Sequence, residues 1–142
     1  MLGAITGNGL YGNKYAFGFQ NARMSQDDEQ KDEAKQALIK KNYNEIYAHE
    51  LAHKTAGGHL AGAIVIERNA EGIPFAGHVA IKMPSLNPNN PQQTINDANT
   101  VIRSAMAPAD PSGQDYKVAA QARNIKSEAQ NMASKQRLNL LA

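Results

Sequence analysis

The run His49-Glu50-Leu51-Ala52-His53 sets two imidazoles four residues apart, with a carboxylate beside the first. On an α-helix that spacing stacks both rings on one face, about 6 Å apart along the axis, so both can reach one ion. Zinc takes nitrogen ligands at about 2.0–2.1 Å and, in catalytic sites, three protein ligands plus a water. Glu50 lies one residue from the first ring, where its carboxylate can take a proton from such a water. A single helical turn therefore offers two ligands and a general base. The chain has no Cys, so disulfides, thiolate nucleophiles and Cys-based zinc sites are excluded and any metal must be held by His, Asp or Glu.

Two further histidines compete for the third ligand position. His59 follows His53 by six residues, the spacing of the extended metzincin motif, but Ala56 stands where that motif has Gly, and Gly57-Gly58 comes one residue later. His78 falls in a strand-like run, with Ala76 and Ala80 on its own face leaving room for the helix to pack there. A strand holds a ligand more rigidly than a Gly-flanked turn. His78 is the favoured third ligand and His59 the alternative, free in that case to line the cleft. Tyr43, Tyr47, Tyr116, Arg68 and Arg103 are candidate donors to a carbonyl oxygen, with packing or surface roles as the ordinary alternative. Asp110-Pro111-Ser112-Gly113 looks like a nucleophile loop, but helix capping accounts for it.

The elements that must position these groups follow from punctuation along the chain. Residues 1–24, rich in Gly, Asn and Tyr, read as an arm in which Tyr11, Tyr15, Phe17 and Phe19 alternate like a short strand. Ser25 with Asp28 is a capping-box pair that opens a long helix to Ala56, with a break expected near Asn42-Tyr43-Asn44 and a stop at Gly57-Gly58. Leu60–Glu67 and Phe75–Ile81 read as two strands joined by the turn Asn69-Ala70-Glu71-Gly72, hence a β-hairpin. A Pro- and Asn-rich loop follows from Met83 to Pro91. Two more helices are expected, one from Thr94 to before Pro108, the other from Ser112 to about Lys135, each opened by the same Ser/Thr…Asp spacing. The expected division is arm 1–24, domain 25–136 and tail 137–142.

Composition narrows the function classes. Among 142 residues, 42% are hydrophobic and 20% charged, ordinary for a globular chain, while 6% aromatics and no Trp leave the core to aliphatic and Ala packing. Fifteen basic against thirteen acidic residues give a net charge of +2, with no basic-aromatic cluster, which argues against nucleic acid. No run is long and apolar enough to span a bilayer, and the N-terminal apolar stretch lacks a preceding basic region, so a cytoplasmic location is expected.

The segment Tyr47–His53 with Ala56-Gly57-Gly58, together with the later run Ala105–Asp115 continuing through Val118-Ala119-Ala120, resembles the SprA-related family of predicted metalloproteases. The resemblance covers about residues 45–130. It implies a zincin-like site in which a Gly-Glu-Val segment follows the helix; Gly77-His78-Val79 takes that place, with His78 where the family has Glu. Both are good zinc ligands. The combined expectation is a minimal α+β, zincin-like domain: a long active-site helix, a β-hairpin and two C-terminal helices. The expected activity is Zn2+-dependent hydrolysis of a peptide or protein substrate, with His49, His53 and His78 (or His59) as ligands and Glu50 as general base. The alternative is a non-catalytic interaction domain with a structural or vestigial metal site, a reading favoured by the short stretch before the motif.

Overall fold

The computed structural model describes residues 14–142, and their side chains from residue 25 onward. Its elements run α1 (Lys14–Gly57), a single 3-10 turn (Gly58–Leu60), β1 (Ala61–Arg68), β2 (Pro74–Ile81), α2 (Pro91–Ala105) and α3 (Gly113–Leu141). The expected α+β order of long helix, hairpin and two helices is the one observed. Residues separate into two compact units, Met1–Leu38 and Ile39–Ala142. In the first, the described part is helix, exposed along nearly all of residues 25–38. All the chemistry discussed below lies in the second.

α1 begins at Lys14 and passes through Ser25, so Ser25–Asp28 is not a helix start. A capping pair acts only where the preceding backbone is already non-helical, and here residues 14–24 are helical. Residues 15–19 are therefore helix and not strand, while Tyr11 and the rest of residues 1–13 lie outside the described residues. No break occurs at Asn42-Tyr43-Asn44. Asn42 instead spends its side chain on the hairpin, donating from Nδ2 to the Pro74 carbonyl at 2.9 Å, and Tyr43 stacks on Tyr47 with Arg68 above it. The less exposed positions Ile39, Asn42, Ile46, Glu50, His53 and Gly57 recur at helical spacing, marking one inward face of α1. Beyond Gly57 the chain turns at Gly58, whose φ of +53 suits glycine.

β1 and β2 pair antiparallel, with Ile64 opposite Val79 and Val65 opposite His78. The connecting turn is held by Asn69, whose side chain accepts from Glu71 and Ile73 N–H groups, and by Gly72 at φ +79. α2 opens upstream of the expected Thr94. Asn90 caps it by accepting from Gln93 N–H, and Pro91 occupies the first turn, where its missing N–H costs nothing. Thr94 is buried inside the helix and ties down the preceding loop, accepting from Asn87 N–H and donating to the Ser85 carbonyl. At α3 the expected capping box is present: Ser112 Oγ accepts from Asp115 N–H, and Asp115 Oδ2 from Ser112 N–H. α3 continues to Leu141, through the segment expected to be a tail.

The core is small and aliphatic, as the composition requires. Leu60, Val101 and Ala122 form its centre, with Ile81, Met83, Ile102 and Val118 packed around them. α2 packs against α3, and Ala98 and Ala105 of the first and Ala119 and Ala122 of the second are all essentially inaccessible. Such small side chains let two helix axes approach closely, and that approach fixes where α3 begins.

Candidate metal centre

α1 carries His49 and His53 on its inward face, and their rings meet edge to face with Nε2 atoms 3.2 Å apart. The third group brought to them is Asp115, from the first turn of α3. Its Oδ1 lies 3.4 Å from His53 Nε2 and its Oδ2 3.8 Å from His49 Nε2. Among the described residues, His49, His53 and Asp115 form the group able to hold a metal ion, their ligand atoms all within 4.8 Å of one another. Tetrahedral zinc with bonds of about 2.0–2.1 Å separates neighbouring ligand atoms by roughly 3.3 Å, and the nearest approaches between these three residues, 3.2, 3.4 and 3.8 Å, lie around that value.

The hydrogen bonds around the rings point the same way. His53 Nδ1 lies 2.8 Å from the Ser104 carbonyl oxygen. A carbonyl only accepts, so Nδ1 donates to it, and Nε2 is the ring atom turned toward His49 and Asp115. His49 Nδ1 lies 3.6 Å from the exposed Asp110 carboxylate, within ionic reach. Two imidazole nitrogens and a carboxylate thus converge on one point, a donor set that could hold a metal ion.

Glu50 sits beside this group, only 6% exposed. Among the described residues, nothing hydrogen-bonds or pairs with its carboxylate, yet no oxygen there is sealed off from solvent. Its position is set by Gly77 of β2. A Cβ on Gly77 would stand 2.9 Å from Glu50 Cγ and 2.5 Å from Ile46 Cγ2, so the strand lies directly against the helix where only glycine fits. His49, Glu50, His53 and Asp115 line one cavity of about 490 Å³. Val79, Ile81, Met83 and Val118 supply apolar wall to the same cavity.

Neither candidate third histidine joins the triangle. Side chains alternate along a strand, and the helix packs on the face of Gly77, not on that of Ala76, His78 and Ala80. His78 borders the cavity, but its side chain is 56% exposed and its Nδ1 lies 3.5 Å from Glu67 of β1. His59 follows the turn at Gly58 into a different pocket, 74% exposed and 3.8 Å from Asp97. Of the candidate oxyanion donors, Tyr43, Tyr47 and Arg68 form the surface stack already described. Arg103 bonds Thr100, and Tyr116 is exposed; none lines the cavity.

The family model for the SprA-related family matches residues 18–142. The chain belongs to the SprA-related family. No curated protein and no solved structure matches it. At the candidate site of this SprA-related chain stand three residues that motif reading passed over. Asp115 was legible only as a capping residue, Ser104 carried no signal, and Gly77 was visible only as part of Gly77-His78-Val79. The one available hint was that Asp115 closes the second distinctive block of sequence, Ala105–Asp115.

Proposed function

We propose that this chain is a zinc-dependent hydrolase of peptide bonds, with His49, His53 and Asp115 as metal ligands and Glu50 as general base. The observation that carries the reading is the convergence of three ligand residues, one ligand atom of each lying within 4.8 Å of the others, beside a buried carboxylate without a partner among the described residues, in one open cavity. Two imidazoles and a carboxylate are a donor set suited to zinc, and three protein ligands leave a coordination position for exchange. A zinc ion bound there supplies Lewis acidity toward water and toward the carbonyl of a substrate.

The remaining work falls to side chains of the protein. Glu50 accepts the proton of the attacking water and returns it to the departing amine, so the same carboxylate serves as base and then as acid. Its burial, without a competing hydrogen bond from the described residues, leaves both oxygens available for that transfer. Asp110 and the Ser104 carbonyl orient His49 and His53. The apolar wall of Val79, Ile81, Met83 and Val118 excludes water and offers a surface for a substrate side chain.

Glu50→Gln tests the assignment. It keeps shape and ligands but removes the proton acceptor, so stoichiometric zinc should persist while cleavage of a peptide library falls by about 10²–10⁴. Equal cleavage by the variant refutes Glu50 as base. A wild type that binds zinc and cleaves nothing supports the structural-metal reading instead.

A further inference from the structure

Ser104 stands out among the buried polar residues because it serves the metal group without belonging to it. It is fully buried in the last turn of α2 and joined to His53 by two reciprocal bonds. The His53 ring donates to the Ser104 carbonyl at 2.8 Å, and Ser104 Oγ donates to the His53 carbonyl at 2.7 Å. Each residue thus uses its side chain to hold the other's backbone. The approach is close enough that a Cβ on Gly57, one turn beyond His53, would stand 2.9 Å from Ser104 Oγ.

We propose that Ser104 is a positioning residue for the metal centre, fixing the ring orientation and tautomer of His53 from the C-terminal end of α2. The last carbonyls of a helix lack intrahelical partners and carry the negative end of its dipole. That of Ser104 accepts from Ala107 N–H at 3.2 Å just beyond the helix and, more closely, the Nδ1 hydrogen of a ligand imidazole at 2.8 Å. Donating from Nδ1 makes Nε2 a better electron donor, and the nearby dipole end favours a cation. The hydroxyl keeps that carbonyl aligned by pinning α2 to the backbone of α1. This inference rests on the metal reading above and on no step of peptide hydrolysis.

The experiment compares two buried hydroxyls on one helix. Thr94 is as buried as Ser104, and its Oγ1 also makes two hydrogen bonds, but to the loop at Ser85 and Asn87 and not to a ligand. Zinc titration of the full chain should show Ser104→Ala weakening affinity by about 10–100-fold, while Thr94→Ala stays within about threefold of wild type. Long-range ¹H–¹⁵N spectra of the metal-free protein at mildly alkaline pH should show His53 protonated on Nδ1 in wild type and a mixture of tautomers in Ser104→Ala, a change that a serine acting only on stability would not produce. Protonation of His53 on Nε2 overturns the proposal even if Ser104→Ala fails to fold. Equal zinc affinity in folded Ser104→Ala, or an equal loss in Thr94→Ala, overturns it as well. A wild type that binds no zinc removes the metal reading itself, and that is seen before any variant is made.

Discussion

Adding one methyl group at Gly77 probes the contact that sets Glu50, the proposed general base. Ordinary carbon–carbon contacts lie at about 3.5–4.0 Å, and the new Cβ would meet Ile46 Cγ2 at 2.5 Å and Glu50 Cγ at 2.9 Å. Both neighbours belong to α1, one turn apart, so the helix cannot retreat from one without carrying the other. The hairpin is also anchored, by Asn42 to the Pro74 carbonyl at one end and by Lys54 to the Gly62 carbonyl at the other. Gly77 is not a positive-φ glycine, so alanine fits the backbone and gains about 0.4–1 kcal/mol through the unfolded chain. Overpacking of this kind costs about 1–3 kcal/mol. The balance is a net loss of roughly 1–2 kcal/mol, read as a lowered urea midpoint at unchanged slope. Zinc affinity should hold, since the nearest atoms to the new Cβ belong to Ile46 and Glu50 and not to a proposed ligand, while peptide cleavage falls because Glu50 is displaced. If Gly77→Ala is as stable as wild type, the hairpin moves freely off α1 and this reasoning fails. If its cleavage is also unchanged, β2 does not place Glu50.

Other substitutions separate the roles that share this small site. Asp115→Ala should lose more than about 100-fold in zinc affinity, because it removes a ligand, whereas a second-sphere change costs about 10–100-fold. Ser112→Ala removes only the cap on α3 and should cost about 0.5–2 kcal/mol of stability with zinc binding retained; loss of zinc there would make the capping box part of the metal centre. His78→Ala and His59→Ala should each leave zinc affinity within about threefold, since neither ring faces the triangle and surface changes of this kind are small. A large loss for His78→Ala in the same titration would return the third ligand to β2.

The amino-acid order by itself determined what depends on near neighbours. Helical spacing put His49, Glu50 and His53 on one face, Gly57-Gly58 stopped that helix, Asn69 and Gly72 turned the hairpin, and Ser112 with Asp115 capped α3. Each is a contact between residues at most four apart, so the relevant chemistry is written in a short stretch. The same locality misled at Ser25 and Thr94, where the capping pattern is present but the backbone before it is already helical. The third member of the candidate metal group needed the tertiary structure, because Asp115 lies 62 residues beyond His53 in the chain and meets it only where α3 folds back beside α1. Which side of β2 meets the helix was likewise settled by volume. Gly77 is the residue with no Cβ to obstruct Ile46 and Glu50, so α1 packs there, and the alternation of the strand turns the adjacent His78 away.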